Sequence, residues 1–278
     1  METMDQNKAD LLNVGGLPRK HTARGTAYHE VGKGEPLVLI HGVGMRLEAW
    51  MPQIEAFSRS HRVIAVDMPG HGESVGLPPG SKLEVFVAWF GGFLDEMAFS
   101  EVNVAGHSMG ALVAGGAAAT FGERIKRVAY LNGVYRRDPE AKAAVLARAA
   151  AIPISGVDKE GPLQRWFGDD ARSEVARELT RNWLSLVDPK AYATAYAAFA
   201  GGDETYADRW PDVGAPALFL TGSDDPNSTP RMAEEMATAA PKGWARIVEG
   251  HRHMVNLTAP VIVNELLAEW LSCGEDAR

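Results

Sequence analysis

Glu101-Val102-Asn103-Val104-Ala105-Gly106-His107-Ser108-Met109-Gly110, running on into a small, helix-permissive segment from Ala111 to Thr120, is the stretch on which the reading of the chain turns. Glu101 to Ala105 alternates as a short strand does, and the residues after Ser108 are helical in character, so Ser108 sits in a strand-turn-helix corner. A corner that tight holds its central residue in an unfavourable backbone conformation and crowds its neighbours. Glycines at 106 and 110 remove the side chains that would clash. The hydroxyl is then presented at a helix N-terminus, where the free N–H of Met109 points at whatever Ser108 attacks and the helix dipole favours negative charge. Five-residue matches of this kind also arise by chance, so the meaning of this one rests on whether the other parts come in order along the chain.

Upstream, Pro36-Leu37-Val38-Leu39-Ile40 is a continuous apolar run, the pattern of a strand buried on both faces. It leads into His41-Gly42-Val43-Gly44, which is either a plain strand-to-helix turn or a loop that turns the Val43 N–H toward a neighbouring site. Leu47 to Ser58 is helical, with Trp50, Ile54 and Phe57 at core spacing, and Arg62 to Asp67 is a second buried strand. In the turn-rich Asp67-Met68-Pro69-Gly70-His71-Gly72-Glu73-Ser74, the closeness of Asp67 and His71 reads as local hydrogen bonding that fixes the loop. Leu83 to Phe99 is a long amphipathic helix, His21 to Val31 an edge hairpin, and residues 1 to about 18 a loose lead-in.

Downstream, Arg127 to Asn132 is a further strand, and the repeated alternation of strand and helix specifies a mostly parallel, doubly wound α/β sheet with helices on both faces. From Tyr135 to Trp210 the alternation stops. The segment is Ala-rich and helical, broken by Pro139, Pro153, Gly156, Pro189 and other turn formers. It reads as three or four short helices forming a cap over the C-terminal edge of the sheet, giving a core of residues 1–134 and 211–278 and a cap of residues 135–210. Trp166, Phe167, Trp183, Tyr192, Tyr196 and Phe199 are more aromatic surface than a small insertion needs, so some of them, Trp166 and Trp183 among the candidates, are expected to face a substrate or an interface. Strand character returns at Pro216 to Thr221, before Gly222-Ser223-Asp224-Asp225-Pro226, and at Trp244 to Val248, before His251-Arg252-His253. Further helices are expected at Arg231 to Ala240 and Val261 to Leu271.

A formal charge of -8 and the lack of any Lys/Arg run argue against nucleic acid or an anionic membrane as partner and leave a small-molecule substrate. The polar N-terminus does not look like a signal peptide, and a single cysteine, Cys273, suits a reducing compartment, so a cytoplasmic setting is expected. No phosphate-binding loop with Lys-Ser/Thr is present and His251-x-His253 lacks the further ligands of a metal site, so no cofactor and no metal are expected. A homo-oligomer is compatible with the aromatic content of the cap.

Five motifs together resemble the α/β-hydrolase family over nearly the whole chain: His41-Gly42-x-Gly44, Asp67-x-Pro69-Gly70-His71-Gly72-x-Ser74, Gly106-x-Ser108-x-Gly110, Gly222-x-x-Asp225-Pro226 and His253. The resemblance implies that Ser108 is the nucleophile, His253 the proton carrier and Asp225 the residue that orients the imidazole, with the N–H groups of Val43 and Met109 as oxyanion hole. The family pattern selects Asp225, which precedes Pro226, over Asp224, and His253, which precedes Met254-Val255, over His251 as reserve. Some relatives carry the acid after the strand before the cap, where this chain has Asn132. The resemblance further implies a serine hydrolase of a small carboxylic ester or lactone, closest in its N-terminal half to enol-lactonases and short-chain carboxylesterases. The alternatives are hydrolysis of a carbon–carbon bond in a dienoic ring-cleavage product, whose relatives often carry Asn where this chain has His107, and a slow-turnover small-molecule receptor. His107 is a candidate substrate contact, and Arg46 either reaches a substrate carboxylate or is a solvated residue at a helix start.

Overall fold

The computed structural model describes residues 16–274, so most of the expected lead-in lies outside the described residues. Eight strands form one sheet: β1 (Lys20–His21), β2 (Ala27–Val31), β3 (Glu35–Ile40), β4 (His61–Val66), β5 (Val102–His107), β6 (Ile125–Leu131), β7 (Ala217–Gly222) and β8 (Gly243–Val248), in the order β1-β2-β4-β3-β5-β6-β7-β8. β1 and β2 pair antiparallel at one edge, and every pairing from β4 to β8 is parallel. The parallel strands therefore all end on the same side, and the motif-bearing loops leave from there.

The apolar run of β3 shows why the sheet is covered twice. Val38 and Ile40 pack into a core with Phe86, Phe90 and the helix Met109–Phe121, while Leu37 and Leu39 pack into another with Trp50, Leu267 and Trp270. Alternate side chains of a strand point to opposite faces, so a run with no polar member requires helices on both.

Between β6 and β7 come four α-helices, Pro139–Ser155, Glu160–Trp166, Ala171–Leu186 and Pro189–Gly201. Pro139 and Pro189, read from sequence as breaks, start helices: each occupies the first turn, where a missing N–H costs nothing, behind an aspartate whose carboxylate caps the helix. Pro153 does not end its helix either. It sits in the last turn of Pro139–Ser155, which stops at Gly156 with φ +80°. Trp166, Phe167, Trp183, Tyr192, Tyr196 and Phe199 are all buried. They belong to a core continuous with one face of the sheet, because four short helices have little else to bury. No helix of the described residues is long and apolar enough to cross a membrane.

Candidate active site

Ser108 is held at φ 55° and ψ −116°, a conformation that L residues other than glycine rarely adopt. Its N–H donates to the Leu131 carbonyl of the neighbouring strand at 2.8 Å, so the corner is tied to the sheet at the point where it leaves it. Glycine is required on either side: a Cβ on Gly106 would lie 2.1 Å from the Gly110 carbonyl oxygen, and one on Gly110 would lie 2.1 Å from that of Ile40. The close approach at Gly110 presses the start of the helix Met109–Phe121 against the end of β3 and the loop after it.

That loop carries Val43. A Cβ on Gly42 would sit 3.1 Å from Ser108 Cβ, which places the backbone of the loop directly beside the serine. Two buried histidines fix its course. His41 accepts from the Met68 N–H at 2.9 Å and donates to the Gly42 carbonyl at 2.7 Å, while His71 accepts from the Gly44 N–H at 2.9 Å and donates to the Pro69 carbonyl at 3.1 Å. Burial pushes the His41 imidazole below its ordinary range and, with the neighbouring His41, takes His71 down to about 3, so both remain neutral and keep these tautomers. Asp67 and His71 do not act on each other as acid and base. Asp67 accepts from Arg19 at 2.7 Å, the Leu47 N–H at 2.9 Å and the Glu73 N–H at 3.1 Å, holding three separate segments together.

The acid and the histidine come from adjacent loops after β7 and β8. His253 Nδ1–H donates to Asp225 Oδ2 at 2.8 Å, with both side chains buried. Burial alone would raise the Asp225 carboxyl, but the His253 ring and further donors outweigh it and hold the group below the usual carboxylate range. The donors are Asn132 Nδ2 on Oδ2 at 2.9 Å and the N–H groups of Asn227 and Ser228 on Oδ1 at 2.8 and 3.2 Å. Asp224 is exposed, and His251 Nδ1 is engaged with Thr258 Oγ1 at 2.9 Å, so neither of the reserve residues lies in this pair.

His107 is buried beside His253, their ring centres 5.1 Å apart, and its Nε2–H donates to the His253 backbone carbonyl at 2.8 Å. Burial, then the His253 ring, pushes it down to about 3. Expected as a substrate contact, His107 instead spans the serine loop and the histidine loop. Trp166 stacks on the His253 ring at 5.5 Å and 30°, whereas Trp183 is buried in the hydrophobic core of the insert. Arg46, offered as a carboxylate ligand, donates to Glu48 at 2.8 Å and joins the cluster that Glu48 forms with the buried Arg19. A carboxylate tethered to the same turn of chain outcompetes a ligand that would have to be drawn from solution. Asn132, considered from sequence only as a non-acid, is the residue that sequence reasoning missed. Its φ of 48° and its place at the end of β6 aim the amide at Asp225, and the motif pattern carried no signal for that.

Ser108 thus stands at a helix N-terminus beside a glycine loop, and its neighbour His107 reaches the loop whose histidine is oriented by a carboxylate, residue types suited to nucleophilic attack on a carbonyl. A family model described as the alpha/beta hydrolase family matches residues 37–266. The (E)-2-((N-methylformamido)methylene)succinate hydrolase of Acinetobacter baylyi is 51% identical over 244 residues, covering 88% of this chain and 93% of that protein. The crystal structure of the enol-lactonase from Burkholderia xenovorans LB400 superposes with a TM-score of 0.81 at 28% identity, covering 92% and 100% of the two chains. A thermophilic esterase from Thermogutta terrifontis matches with a TM-score of 0.82 at 24% identity, covering 92% and 98%, a likeness of fold.

Proposed function

Because the chain belongs to the α/β-hydrolase family, we propose that it hydrolyses a small, acyclic, unsaturated carboxylic acid at a bond other than an ester. The support is the relative at 51% identity, whose named substrate contains neither ester nor lactone. That resemblance favours the alternative drawn from the sequence, hydrolysis of a carbon–carbon bond in a dienoic ring-cleavage product, over ester or lactone cleavage, and product analysis separates it from attack on the formyl group.

The chemistry of such a substrate suits the residues. In this reading Ser108 attacks a carbonyl, His253 takes the hydroxyl proton and returns it to the leaving group, and Asp225 holds the imidazole and its cation. The N–H groups of Val43 and Met109 receive the oxyanion, each such donor being worth about 3 kcal/mol of barrier. In (E)-2-((N-methylformamido)methylene)succinate the nitrogen lone pair is drawn through the double bond toward a carboxyl group. That weakens its donation into the formyl carbonyl and makes the enamine nitrogen a competent leaving group. Attack there gives a formyl ester of Ser108, which water resolves to formate.

The test is product analysis with that compound. Formate together with the methylamino-methylene diacid marks attack on the formyl group; succinate together with N-formyl-N-methylformamide marks carbon–carbon fission. Ser108→Ala is expected to lower kcat by about a thousandfold or more while leaving the chain folded. No turnover of this compound alongside efficient hydrolysis of p-nitrophenyl esters would return the reading to ester cleavage.

A further inference from the structure

The helical insert carries two arginines that the serine chemistry does not use. Arg148 lies on Pro139–Ser155 and Arg165 on Glu160–Trp166, and both are half-buried. Among the described residues neither has a carboxylate at ion-pair distance. Arg148 Nε donates to the Tyr196 hydroxyl at 3.2 Å, and Asp158, the acid that Arg165 senses, spends Oδ1 on the N–H groups of Glu160 and Gly161. Arg137 lies 3.3 Å from Asp203 and Arg46 is on Glu48, while Arg252 donates to the Gln164 and Phe167 carbonyls. Burial, and then the charge of Arg148, makes the Arg165 cation less favourable than it would be in water. Arg165 has the Asp158 carboxylate nearby but outside ion-pair distance, and two half-buried guanidinium groups that repel each other are stabilised by an anion placed between them.

Their position relates them to the serine. Arg165 precedes Trp166, the ring stacked on His253. On the other side, the Tyr196 ring lies 5.7 Å from that of Tyr192, which packs so closely on the glycine loop that a Cβ on Gly44 would fall 2.9 Å from it. The pair is thus bounded by a residue resting on the histidine and by one resting on the loop that carries Val43.

We propose that Arg148 and Arg165, with the Tyr196 hydroxyl, form a carboxylate-binding site that selects short dicarboxylates, holding one carboxylate while a group attached to the same short chain reaches Ser108. This rests on the acid-substrate reading above and names its class. It also takes the carboxylate-binding role that is one of the two readings of Arg46. A guanidinium pair can take a carboxylate with two parallel N–H···O bonds, fixing its orientation as well as its charge.

Calorimetric titration with sodium succinate tests the site without requiring turnover, with dimethyl succinate as the neutral isostere. Succinate is expected to bind the wild-type chain, to bind more weakly as salt is raised, and to bind about ten- to a hundredfold more weakly to Arg148→Gln and Arg165→Gln. Arg165→Lys should recover part of the loss, since the charge remains and the fork is gone. Circular dichroism shows whether each variant is folded, and if a glutamine variant is not, the Lys variant and the salt dependence decide. Equal binding of succinate and its dimethyl ester, no binding of succinate, or a loss of less than about twofold in folded Gln variants would each overturn the proposal. Arginine-dependent binding of succinate without hydrolysis of the formamido compound would leave this site standing and remove the reading of the reaction; hydrolysis with arginine-independent binding would do the reverse.

Discussion

Asp225 Oδ2 accepts two hydrogen bonds, from His253 at 2.8 Å and from Asn132 at 2.9 Å, and the second explains why position 132 is an amide. A carboxylate there would face Asp225 across the same gap, and one of the two would have to keep a proton. The amide adds a donor without adding charge, and asparagine tolerates the left-handed backbone that the turn needs. Asn132→Ala is expected to destabilise the chain by about 2–3 kcal/mol, a hydrogen bond to a charged group plus a strained φ, measured by urea unfolding. Asn132→Gly removes the bond and leaves the φ unstrained, so it should be the milder change in stability while losing as much activity. Equal stability of the two variants would show that the backbone at 132 carries no strain.

The corner around Ser108 and the loops beside it work as interlocked pieces of backbone. Gly110 lets the serine helix touch β3, and Gly222 does the same for the acid loop, where a Cβ would fall 2.1 Å from the His251 carbonyl oxygen. Contacts between main chains have no flexible atoms that can give way. Gly110→Ala is therefore expected to cost more than about 3 kcal/mol or to prevent folding. Gly201→Ala, at a helix end with nothing within 4 Å, serves as the control and should be neutral or stabilising by up to about 1 kcal/mol. Chemical denaturation of both variants measures the contrast; a Gly110→Ala chain as stable as Gly201→Ala would show that the elbow can relax away from β3.

Acid should lower the stability of the molecule through two sets of groups. His71 and His107 have folded-state values of about 3 against an ordinary 6.5, and His41 is also lowered, in each case first by burial. A depressed folded value means that the unfolded chain binds protons the native one refuses, so stability is complete above about pH 6.5 and declines as pH falls toward 3. Carboxyl groups are the second set. Burial would raise Glu48 and Asp67, but hydrogen bonds and charge from Arg19 hold both down, so their contribution is present above the ordinary carboxylate range and fades as pH falls through it. Unfolding at pH 5 should therefore take up about two protons or more, measured by calorimetry in buffers of different ionisation heat. An uptake near zero would mean that the buried histidines are already charged in the native state.

Much of this molecule could be read before its structure. The buried strands, the parallel order and the helical insertion after Asn132 rest on local signals: continuous apolar runs, glycines at fixed offsets and turn formers after strands; the choice of Ser108, Asp225 and His253 rests on the family resemblance. Those signals work because backbone sterics and two-sided burial act over a few residues and leave a pattern in the chain itself. What the chain could not disclose was which side chain meets which partner. Arg46 found Glu48, two residues away, and the aromatics of the insert turned inward. His107 reached 146 residues along the chain to the His253 carbonyl, and Asn132 reached 93 residues to Asp225. Such pairings depend on the packing of whole loops and helices against one another, and a side chain's spacing in sequence carries no record of the element that will be folded against it.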